Sequence, residues 1–287
     1  MKEWFVEADG TRTRVAETGQ GPTLLLVHGG GPANSFEMAW GPVLPALAER
    51  SRVLGFDQVG FGQTDAPESA DLTIEGRARH AVALVEELGL EDFALIGHSQ
   101  GGFIATQIAA AHPSKVQSLV LVSSGTAAPS GNMQPNGQFS PHVQDIISYS
   151  ADPSLENLVA LKRQMSAHPE RIDAEDVRPF YDQFIRSGKL EAYKRGTERA
   201  LKGKEDAYAA LHERLVLPAL AATTSIPTLL VWGREDDFAY TSRGMELLAL
   251  IPHAEMHLIP GARHSVEWDE PDVFASVVSE FIDRQRA

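Results

Sequence analysis

Gly97-His98-Ser99-Gln100-Gly101 lies between two segments of different periodicity. The residues before it, Phe93 to Ile96, form a short apolar run typical of a buried strand, and the residues after it, Gly102 to Ala111, repeat apolar side chains at helical spacing. A strand that turns at once into a helix strains the backbone at the central residue, and it needs small neighbours because the two elements approach closely. The pattern therefore predicts a sharp turn that exposes the Ser99 hydroxyl at a helix N-terminus.

Short apolar runs continue on both sides of this turn, with helical segments such as Ile74 to Leu88 between them. The runs are Thr23 to Val27, Arg52 to Phe56, Ser118 to Val122, Thr228 to Trp232 and Glu255 to Ile259. A chain that alternates strand and helix in this way forms a mostly parallel, doubly wound sheet covered by helices on both faces. Before it, a β-hairpin from Trp4 to Ala8 and from Thr13 to Glu17 is predicted around Asp9-Gly10, whose residues tolerate the positive φ of tight turns.

The alternation breaks between about Thr126 and about Leu215. This segment is helix-rich and polar, contains repeated Pro and Gly residues, and is too long for a simple loop. We therefore predict an α/β core made of residues 1–126 and 216–287, with residues 127–215 inserted as a helical cap. An apolar surface on such a cap could support a homodimer.

The composition argues against several classes of function. The 287 residues carry a formal net charge of -14, which would repel nucleic-acid phosphates and anionic lipid, so we expect neither nucleic acid nor a membrane as a partner. The absence of Cys excludes disulfides, thiolate catalysis and thiolate metal sites. Charged residues within Met1 to Glu7 interrupt any apolar stretch of a signal peptide, so we expect a soluble cytoplasmic protein that acts on a small molecule.

A serine hydroxyl is a weak nucleophile near neutral pH, so Ser99 needs a base, and the base needs a group that fixes its tautomer. His264 is the candidate base because it follows the last apolar run in a loop that leads to a final helix, roughly Pro271 to Ile282. His253 and His257 have the spacing of helical metal ligands but begin a strand, so we expect no metal site. The predicted chemistry needs no cofactor.

Three consecutive acids follow the apolar run that ends at Trp232, and each is a candidate for the group that orients the base. They are Glu235, Asp236 and Asp237. The run that ends at Val122 is followed by Ser123-Ser124-Gly125 and offers no rival carboxylate. The acid is therefore expected in the loop after Trp232.

Negative charge that develops on a carbonyl oxygen needs hydrogen-bond donors that are already in place. The backbone N–H groups of Gln100 and of Gly30, within His28-Gly29-Gly30-Gly31, are the two predicted donors. A glycine run after a strand could instead cradle phosphate, but the chain has no Gly-Lys-Ser/Thr, and Gly60-Phe61-Gly62 lacks the third Gly of a dinucleotide site. We therefore expect an oxyanion hole at Gly30 and Gln100.

Over the whole chain, these motifs resemble those of the α/β-hydrolase superfamily. The order Ser99, Asp236, His264 is the order of that superfamily, and the resemblance implies that Asp236 is the acid because it lies three residues after Gly233. The chain is most similar to the meta-cleavage-product hydrolases, which cleave a carbon–carbon bond in vinylogous diketones from aromatic-ring degradation. The motifs that carry this resemblance are His28-Gly29-Gly30-Gly31-Pro32, Asp57 to Gly62, Gly97 to Gly102 and Trp232 to Asp237.

Three positions depart from that family, which holds the carboxylate of its dienoate substrate with an Asn before the nucleophile, an Arg in the cap and a Trp after the catalytic His. The corresponding residues here are His98, Phe180 and Ser265. We expect these three residues and Gly29 to line the substrate pocket, with Phe180 making it apolar. A buried carboxylate without a cationic partner is costly, so a dienoate requires another cap arginine, Arg186 or Arg163, to reach the pocket.

The sequence therefore predicts a serine hydrolase in which His264 activates Ser99 for attack on a carbonyl and water releases the acyl group. The expected substrate is a small, largely apolar ester, lactone or ketone that enters beneath the cap. A meta-cleavage dienoate is the second candidate, and with it His264 is expected to assist tautomerisation before the bond breaks. The third candidate is a non-catalytic ligand-binding receptor, because the same fold hosts receptors that keep an intact triad.

Overall fold

A sheet of eight strands organises the part of the chain that the structure describes. The computed structural model describes residues 1–131, 145, 146, 149, 151–202 and 210–286. The strands are β1 (Lys2–Ala8), β2 (Thr11–Thr18), β3 (Thr23–Val27), β4 (Arg52–Phe56), β5 (Phe93–His98), β6 (Val116–Val122), β7 (Thr228–Gly233) and β8 (Glu255–Ile259). Their order across the sheet is β1-β2-β4-β3-β5-β6-β7-β8, and β4, β3 and β5 to β8 are mutually parallel. The predicted mostly parallel, doubly wound sheet is confirmed.

The N-terminal hairpin adds the antiparallel edge of the sheet. Strand β2 runs antiparallel to both β1 and β4. The turn between β1 and β2 forms where predicted, because Asp9 and Gly10 both adopt positive φ, 46° and 69°. The hairpin is longer than predicted, since pairing extends to Lys2 opposite Glu17 at one end and to Thr11 opposite Ala8 at the other.

Helices connect the parallel strands and cover both faces of the sheet. Within the described residues the α-helices are α1 (Phe36–Trp40), α2 (Leu44–Ala48), α3 (Ile74–Glu87), α4 (Gln100–Ala111), α5 (Leu155–Gln164), α6 (Ala174–Arg186), α7 (Lys189–Lys202), α8 (Leu217–Ala222), α9 (Thr241–Leu250), α10 (Val266–Asp269) and α11 (Pro271–Arg286). Helix α3 begins where predicted because the Thr73 hydroxyl accepts a hydrogen bond from the Gly76 N–H, which caps its first turn. Helix α4 begins at Gln100, two residues earlier than the sequence periodicity indicates.

Alternate side chains of the central strands divide the core into two layers, as the two-residue period of a strand requires. On β3, Leu25 belongs to a buried cluster with Phe103 of α4. Its neighbour Leu24 belongs to a second cluster with Trp40 of α1 and Phe281 of α11. Both faces of β3 are therefore buried, which explains why its sequence is a continuous apolar run.

Helices α5, α6 and α7 lie between β6 and β7 in the chain and form a third apolar cluster. In this cluster Leu158, Val177 and Phe184 pack with Phe61 and Trp268, which belong to the loop after β4 and to α10. The inserted helices are thus held against the sheet domain by shared apolar contacts. The limits of a separate cap at residues 127 and 215 remain a prediction. Among the described residues, no helix has the length and apolar character needed to cross a membrane.

Candidate active site

Ser99 occupies the sharp turn between β5 and α4. Its backbone lies at φ 53° and ψ −122°, a strained conformation for a residue with a side chain. A Cβ atom added at Gly97 would lie 2.3 Å from the Gly101 carbonyl oxygen, so the turn needs glycine at this position. The Ser99 carbonyl also accepts hydrogen bonds from the Ser124 and Thr126 hydroxyls, at 2.7 and 3.0 Å. The predicted strand, turn and helix are present, and they hold the Ser99 side chain at the end of the sheet.

The structure brings the three predicted triad residues together. His264 Nε2 lies 3.1 Å from Ser99 Oγ, and His264 Nδ1 lies 3.1 Å from Asp236 Oδ2. All three side chains are buried. The arrangement allows His264 to take the Ser99 proton while Asp236 orients the imidazole.

Asp236 is fixed by its own loop after β7. Its Oδ1 accepts hydrogen bonds from the Phe238 and Ala239 N–H groups, both at 2.9 Å, which leaves Oδ2 directed at His264. The neighbouring acids have other partners. Glu235 pairs with Arg234, and Asp237 pairs with Arg263. Of the three consecutive acids, only Asp236 is therefore hydrogen-bonded to the base within the described chain.

Gly30 lies in the loop after β3, and Gln100 directly follows Ser99 at the start of α4. Gln100 is the first residue of α4, so its N–H has no partner within the helix. Among the described residues, no backbone carbonyl accepts the Gly30 N–H. A Cβ atom added at Gly30 would lie 1.9 Å from Gln100 Oε1, so the Gln100 side chain lies directly against Gly30. Both N–H groups thus lack a backbone acceptor among the described residues, and Gly30 and Gln100 line the same cavity as Ser99.

A cavity of about 550 Å³ opens over Ser99, beneath the inserted helices. Three of the four predicted pocket residues line it, namely Gly29, His98 and Ser265. Apolar side chains from the sheet domain and from the inserted helices form much of its wall. Among them are Met38, Val59, Phe61, Leu72, Phe103, Ile172, Val177 and Leu211. The cavity can therefore enclose a small, partly apolar molecule against the Ser99 side chain.

The prediction that Phe180, the fourth pocket residue, lines the cavity is wrong. Phe180 packs against the apolar cluster of the inserted helices and does not line the cavity, which Val177 reaches from the same helix one turn earlier. The two arginines expected to replace the family's cap arginine do not line it either. Arg163 donates to the Ile172 carbonyl, and Arg186 is exposed at the end of α6.

Lys162 of α5 is a cation in the cavity wall that sequence reasoning missed. Burial lowers the pKa of its ammonium group to about 8. Glu267 of α10 lines the same cavity and is 2% exposed, and burial raises the pKa of its carboxyl to about 8. At neutral pH, Lys162 is therefore mostly charged and Glu267 is mostly neutral, so the pair carries a net positive charge.

His98 connects this pair to the triad. Its Nε2 lies 3.0 Å from the His264 carbonyl oxygen, which can only accept, so Nε2 carries the hydrogen. Its Nδ1 faces Glu267 Oε1 at 3.4 Å. Burial holds the pKa of His98 well below its usual range, and the ring is neutral. His98 therefore lies between Glu267 and the loop of the base, and it adds no charge of its own.

Arg77 of α3 and Trp268 of α10 were also missed. Arg77 lines the cavity and donates to Gln100 Oε1 at 2.6 Å. Trp268 lines the cavity three residues after Ser265, with its indole N–H hydrogen-bonded to the Met38 carbonyl at 3.0 Å. A tryptophan of α10 thus lines the cavity, although the residue directly after the base is Ser265.

A sequence signal for the two cations exists in the helical spacing. Lys162 lies four residues after the buried Leu158 of α5, and Arg77 lies three residues after Ile74 and four before the buried Ala81 of α3. Residues with this spacing share one helical face. A lone cation on an apolar helix face is therefore a candidate cavity residue. Within the described residues, no group of His, Asp and Glu has the arrangement of a metal site.

Curated relatives of the chain are named as hydrolases of a dienoic acid and of a muconate semialdehyde. The chain is 27% identical over 284 residues to the 2-hydroxy-6-oxo-6-(2'-aminophenyl)hexa-2,4-dienoic acid hydrolase of Metapseudomonas resinovorans. This alignment covers 99% of this chain and 91% of that protein. It is 28% identical over 283 residues to the 2-hydroxymuconate semialdehyde hydrolase of Pseudomonas sp. (strain CF600), with 96% and 92% covered. The resemblance to the meta-cleavage-product hydrolases, predicted from the motifs, is confirmed.

A solved structure and a family model cover nearly the whole chain. The 2-hydroxy-6-oxo-6-phenylhexa-2,4-dienoate hydrolase from Rhodococcus sp. strain RHA1 aligns with a TM-score of 0.79 at 23% identity, over 98% of both chains. This likeness shows that the two proteins share a fold. The family model described as alpha/beta hydrolase fold matches residues 22–271. The chain therefore belongs to the α/β-hydrolase fold family and is an enzyme of that fold.

Proposed function

We propose that this enzyme hydrolyses a carbon–carbon bond next to a ketone, in a substrate of the dienoate class that carries a carboxylate. The observation that carries the proposal is Lys162, a cap-side cation in the wall of the cavity that contains Ser99. A dienoate needs such a cation because a buried carboxylate without a partner is costly. The names of the curated relatives support the same class of reaction.

The protonation states around Lys162 support binding of an anion. At neutral pH, Lys162 is charged whereas Glu267 and His98 in the same cavity wall are neutral, because burial disfavours the charged forms of both. A substrate carboxylate can therefore accept hydrogen bonds from Lys162 and from the protonated Glu267 carboxyl. This end of the cavity is polar, whereas residues such as Leu72 and Val59 make other walls apolar.

In the proposed reaction, His264 first assists tautomerisation of the dienol, which moves its hydroxyl proton to the carbon next to the ketone. Ser99 Oγ then attacks the ketone carbon, as His264 Nε2 takes the Ser99 hydroxyl proton. Asp236 stabilises the imidazolium, and the Gly30 and Gln100 N–H groups hold the oxyanion. Collapse of the tetrahedral intermediate breaks the carbon–carbon bond. Its electron pair enters the conjugated carbonyl system of the leaving fragment, which receives the proton from His264. Water activated by His264 then hydrolyses the acyl ester on Ser99.

Lys162 also changes the balance between the candidate substrates. The preference for a small, apolar ester, lactone or ketone assumed that Phe180 lines the pocket and that the pocket has no cation. Phe180 does not line the cavity and Lys162 does, so an acidic substrate fits better than a fully apolar one. Ester hydrolysis remains a reaction that the same triad can perform, and it serves as the reference activity in the test.

The test compares turnover of 2-hydroxy-6-oxo-6-phenylhexa-2,4-dienoate with turnover of p-nitrophenyl butyrate. In Ser99→Ala, kcat for both substrates should fall at least about 1000-fold, because the nucleophile is lost. In Lys162→Met, KM for the dienoate should rise about 10- to 100-fold while the kinetics of the ester change little, because only the dienoate carries a carboxylate. Lys194→Met is the matched control, since Lys194 lies on α7 and pairs with Glu191.

The other outcomes each contradict a stated point. If the ester is hydrolysed and the dienoate is not, the substrate is an ester or lactone and the proposed class is wrong. Tight dienoate binding without turnover of either substrate would favour a receptor. Full activity in Ser99→Ala would remove Ser99 as the nucleophile.

A further inference from the structure

Arg77 is a buried guanidinium without an acidic partner in the described part of the chain. It is 7% exposed, and none of the ion pairs formed among the described residues includes it. Burial lowers the pKa of Arg77 to about 10, so the group stays charged at neutral pH. A buried charge that lacks a counter-charge is usually destabilising. Its position in the wall of the cavity that contains Ser99 therefore calls for a role other than stability.

Two neutral amides accept hydrogen bonds from this guanidinium, whose Nε has no hydrogen-bond partner among the described residues. Arg77 Nη2 donates to Gln100 Oε1 at 2.6 Å, and Nη1 donates to Gln58 Oε1 at 3.1 Å. Gln58 is in turn fastened to His28, because its side-chain Nε2 donates to the His28 carbonyl and its backbone N–H donates to His28 Nε2 at 3.0 Å. A single side chain of α3 thus connects the loops that follow β3, β4 and β5.

Two of these loops carry the expected oxyanion donors. The Gln100 side chain lies against Gly30, where an added Cβ would meet Gln100 Oε1 at 1.9 Å. That same Oε1 is the atom held by Arg77. The relative position of the Gly30 and Gln100 N–H groups therefore depends on a side chain that Arg77 clamps.

We propose that Arg77 is a positioning residue of the oxyanion hole, which fixes Gln100 against Gly30 and holds an uncompensated positive charge beside the developing oxyanion. Preorganised donors act strongly because they need no rearrangement when charge appears. The inference rests on the proposed role of Ser99 as nucleophile. It does not depend on which carbonyl substrate the enzyme cleaves.

The alternative role for a cation in the cavity wall is to bind an acidic substrate directly. That role predicts an effect on KM for the dienoate and none on neutral reagents. A positioning role predicts slower attack by Ser99 on every electrophile, including neutral ones. The two roles are therefore separated by a neutral reagent that forms a tetrahedral adduct on Ser99.

The experiment measures the second-order rate of Ser99 modification by a neutral alkyl fluorophosphonate, together with kcat and KM for p-nitrophenyl butyrate. In Arg77→Met, the modification rate and kcat should fall about 10- to 100-fold, less than or equal to the loss of a whole oxyanion donor, with KM within about 2-fold. Arg77→Lys should recover part of the rate because it keeps the charge without the fork that reaches both amides.

The matched control is Arg79→Met, two residues along α3. Arg79 is 61% exposed in its side chain and pairs with Asp9 and Asp71 at the surface. Arg79→Met should react like wild type. Gln100→Met is the second test variant, because it removes the hydrogen bond between Arg77 and Gln100 while keeping Arg77. It should also lower the modification rate, and it keeps the proposal testable if Arg77→Met does not fold.

Wild-type rates for both Arg77→Met and Gln100→Met would overturn the inference. A rise in dienoate KM without a change in the neutral reactions would assign Arg77 to substrate binding instead. A wild-type protein that the fluorophosphonate does not modify would overturn it as well. If the probe reacts as expected and the dienoate is not cleaved, the inference on Arg77 stands and the proposed substrate class fails.

Discussion

Glu267 and Lys162 have opposite charges when ionised, yet burial disfavours the charged form of each. The pKa of the Glu267 carboxyl is raised to about 8, and that of the Lys162 ammonium is lowered to about 8. Below this pH the pair is a neutral acid and a cation, which attracts a carboxylate. Above it the pair becomes a carboxylate and a neutral amine, which repels one. Binding of an acidic substrate therefore requires the protonated pair.

KM for the dienoate should rise above pH 8, approaching about 100-fold per pH unit, because binding requires the protons of both Lys162 and Glu267. Stopped-flow or steady-state measurements from pH 6 to 10 test this expectation. The neutral ester is the control, and its KM should stay flat because it carries no charge at that end of the cavity. An equal rise in KM for both substrates would show that the titration acts on the triad or the fold rather than on the anion site.

Single residues also show where prediction from sequence succeeds. Ser99, Asp236 and His264 each follow the carboxyl end of a strand, and a parallel sheet brings such ends to one edge. That the three loops meet at one edge of the sheet could therefore be expected from the sequence, whereas the choice of Asp236 among three acids came from the family resemblance. Lys162 is different, because its place in the cavity depends on how α5 rotates and packs, which is set by distant residues.

At the scale of elements, the close packing of β5, α4 and β3 leaves no room for a side chain at Gly97 or Gly101. A Cβ added at Gly101 would lie 2.2 Å from the Val27 carbonyl oxygen, which belongs to the neighbouring strand β3. This contact involves backbone atoms, which cannot move aside as a flexible side chain can. The requirement for small residues, expected from the motif, thus has its cause in β3 as well as in the turn.

Gly101→Ala should lower the free energy of unfolding by about 1–3 kcal/mol and lower kcat, because the added methyl group forces β3 and α4 apart. Denaturant unfolding and ester turnover measure the two effects. Gly31→Ala is the stability control, since an added Cβ there meets nothing within 4 Å. Its unfolding free energy should stay within about 0.5 kcal/mol of wild type. Equal stability of Gly101→Ala and wild type would contradict the close approach.

The inserted helices mark the limit of sequence reasoning at this scale. An alternation of strand and helix that stops near Thr126 indicates an insertion, but it does not show which helix face meets the sheet. Helix α6 illustrates the consequence, because Val177 lies at the cavity where Phe180 was expected. The orientation of α6 follows from its apolar contacts with Phe61 and Trp268, which are remote in the chain.

In the whole molecule, the inserted helices and the loop of the base share one buried carboxylate. Asp269 is 1% exposed and accepts hydrogen bonds from the Ser166 hydroxyl, from the Ala167 N–H at 2.9 Å and from the Arg263 N–H at 2.8 Å. Ser166 and Ala167 follow α5, whereas Arg263 directly precedes His264. The position of the base is thereby coupled to the helix that carries Lys162.

Asp269→Ala should lower the free energy of unfolding by about 3 kcal/mol or more, because it leaves three donors without an acceptor and each buried loss costs about 1–3 kcal/mol. It should also lower kcat for both substrates, since His264 loses the support of its neighbour, and raise KM for the dienoate, since α5 is no longer tied to the loop. Denaturant unfolding and steady-state kinetics measure these effects. Asp283→Ala removes an exposed carboxylate that pairs with Arg50, and it should leave both stability and kinetics near wild type. A loss of stability in Asp269→Ala with unchanged kcat and KM would mean that the carboxylate holds the two parts together without positioning either the base or Lys162.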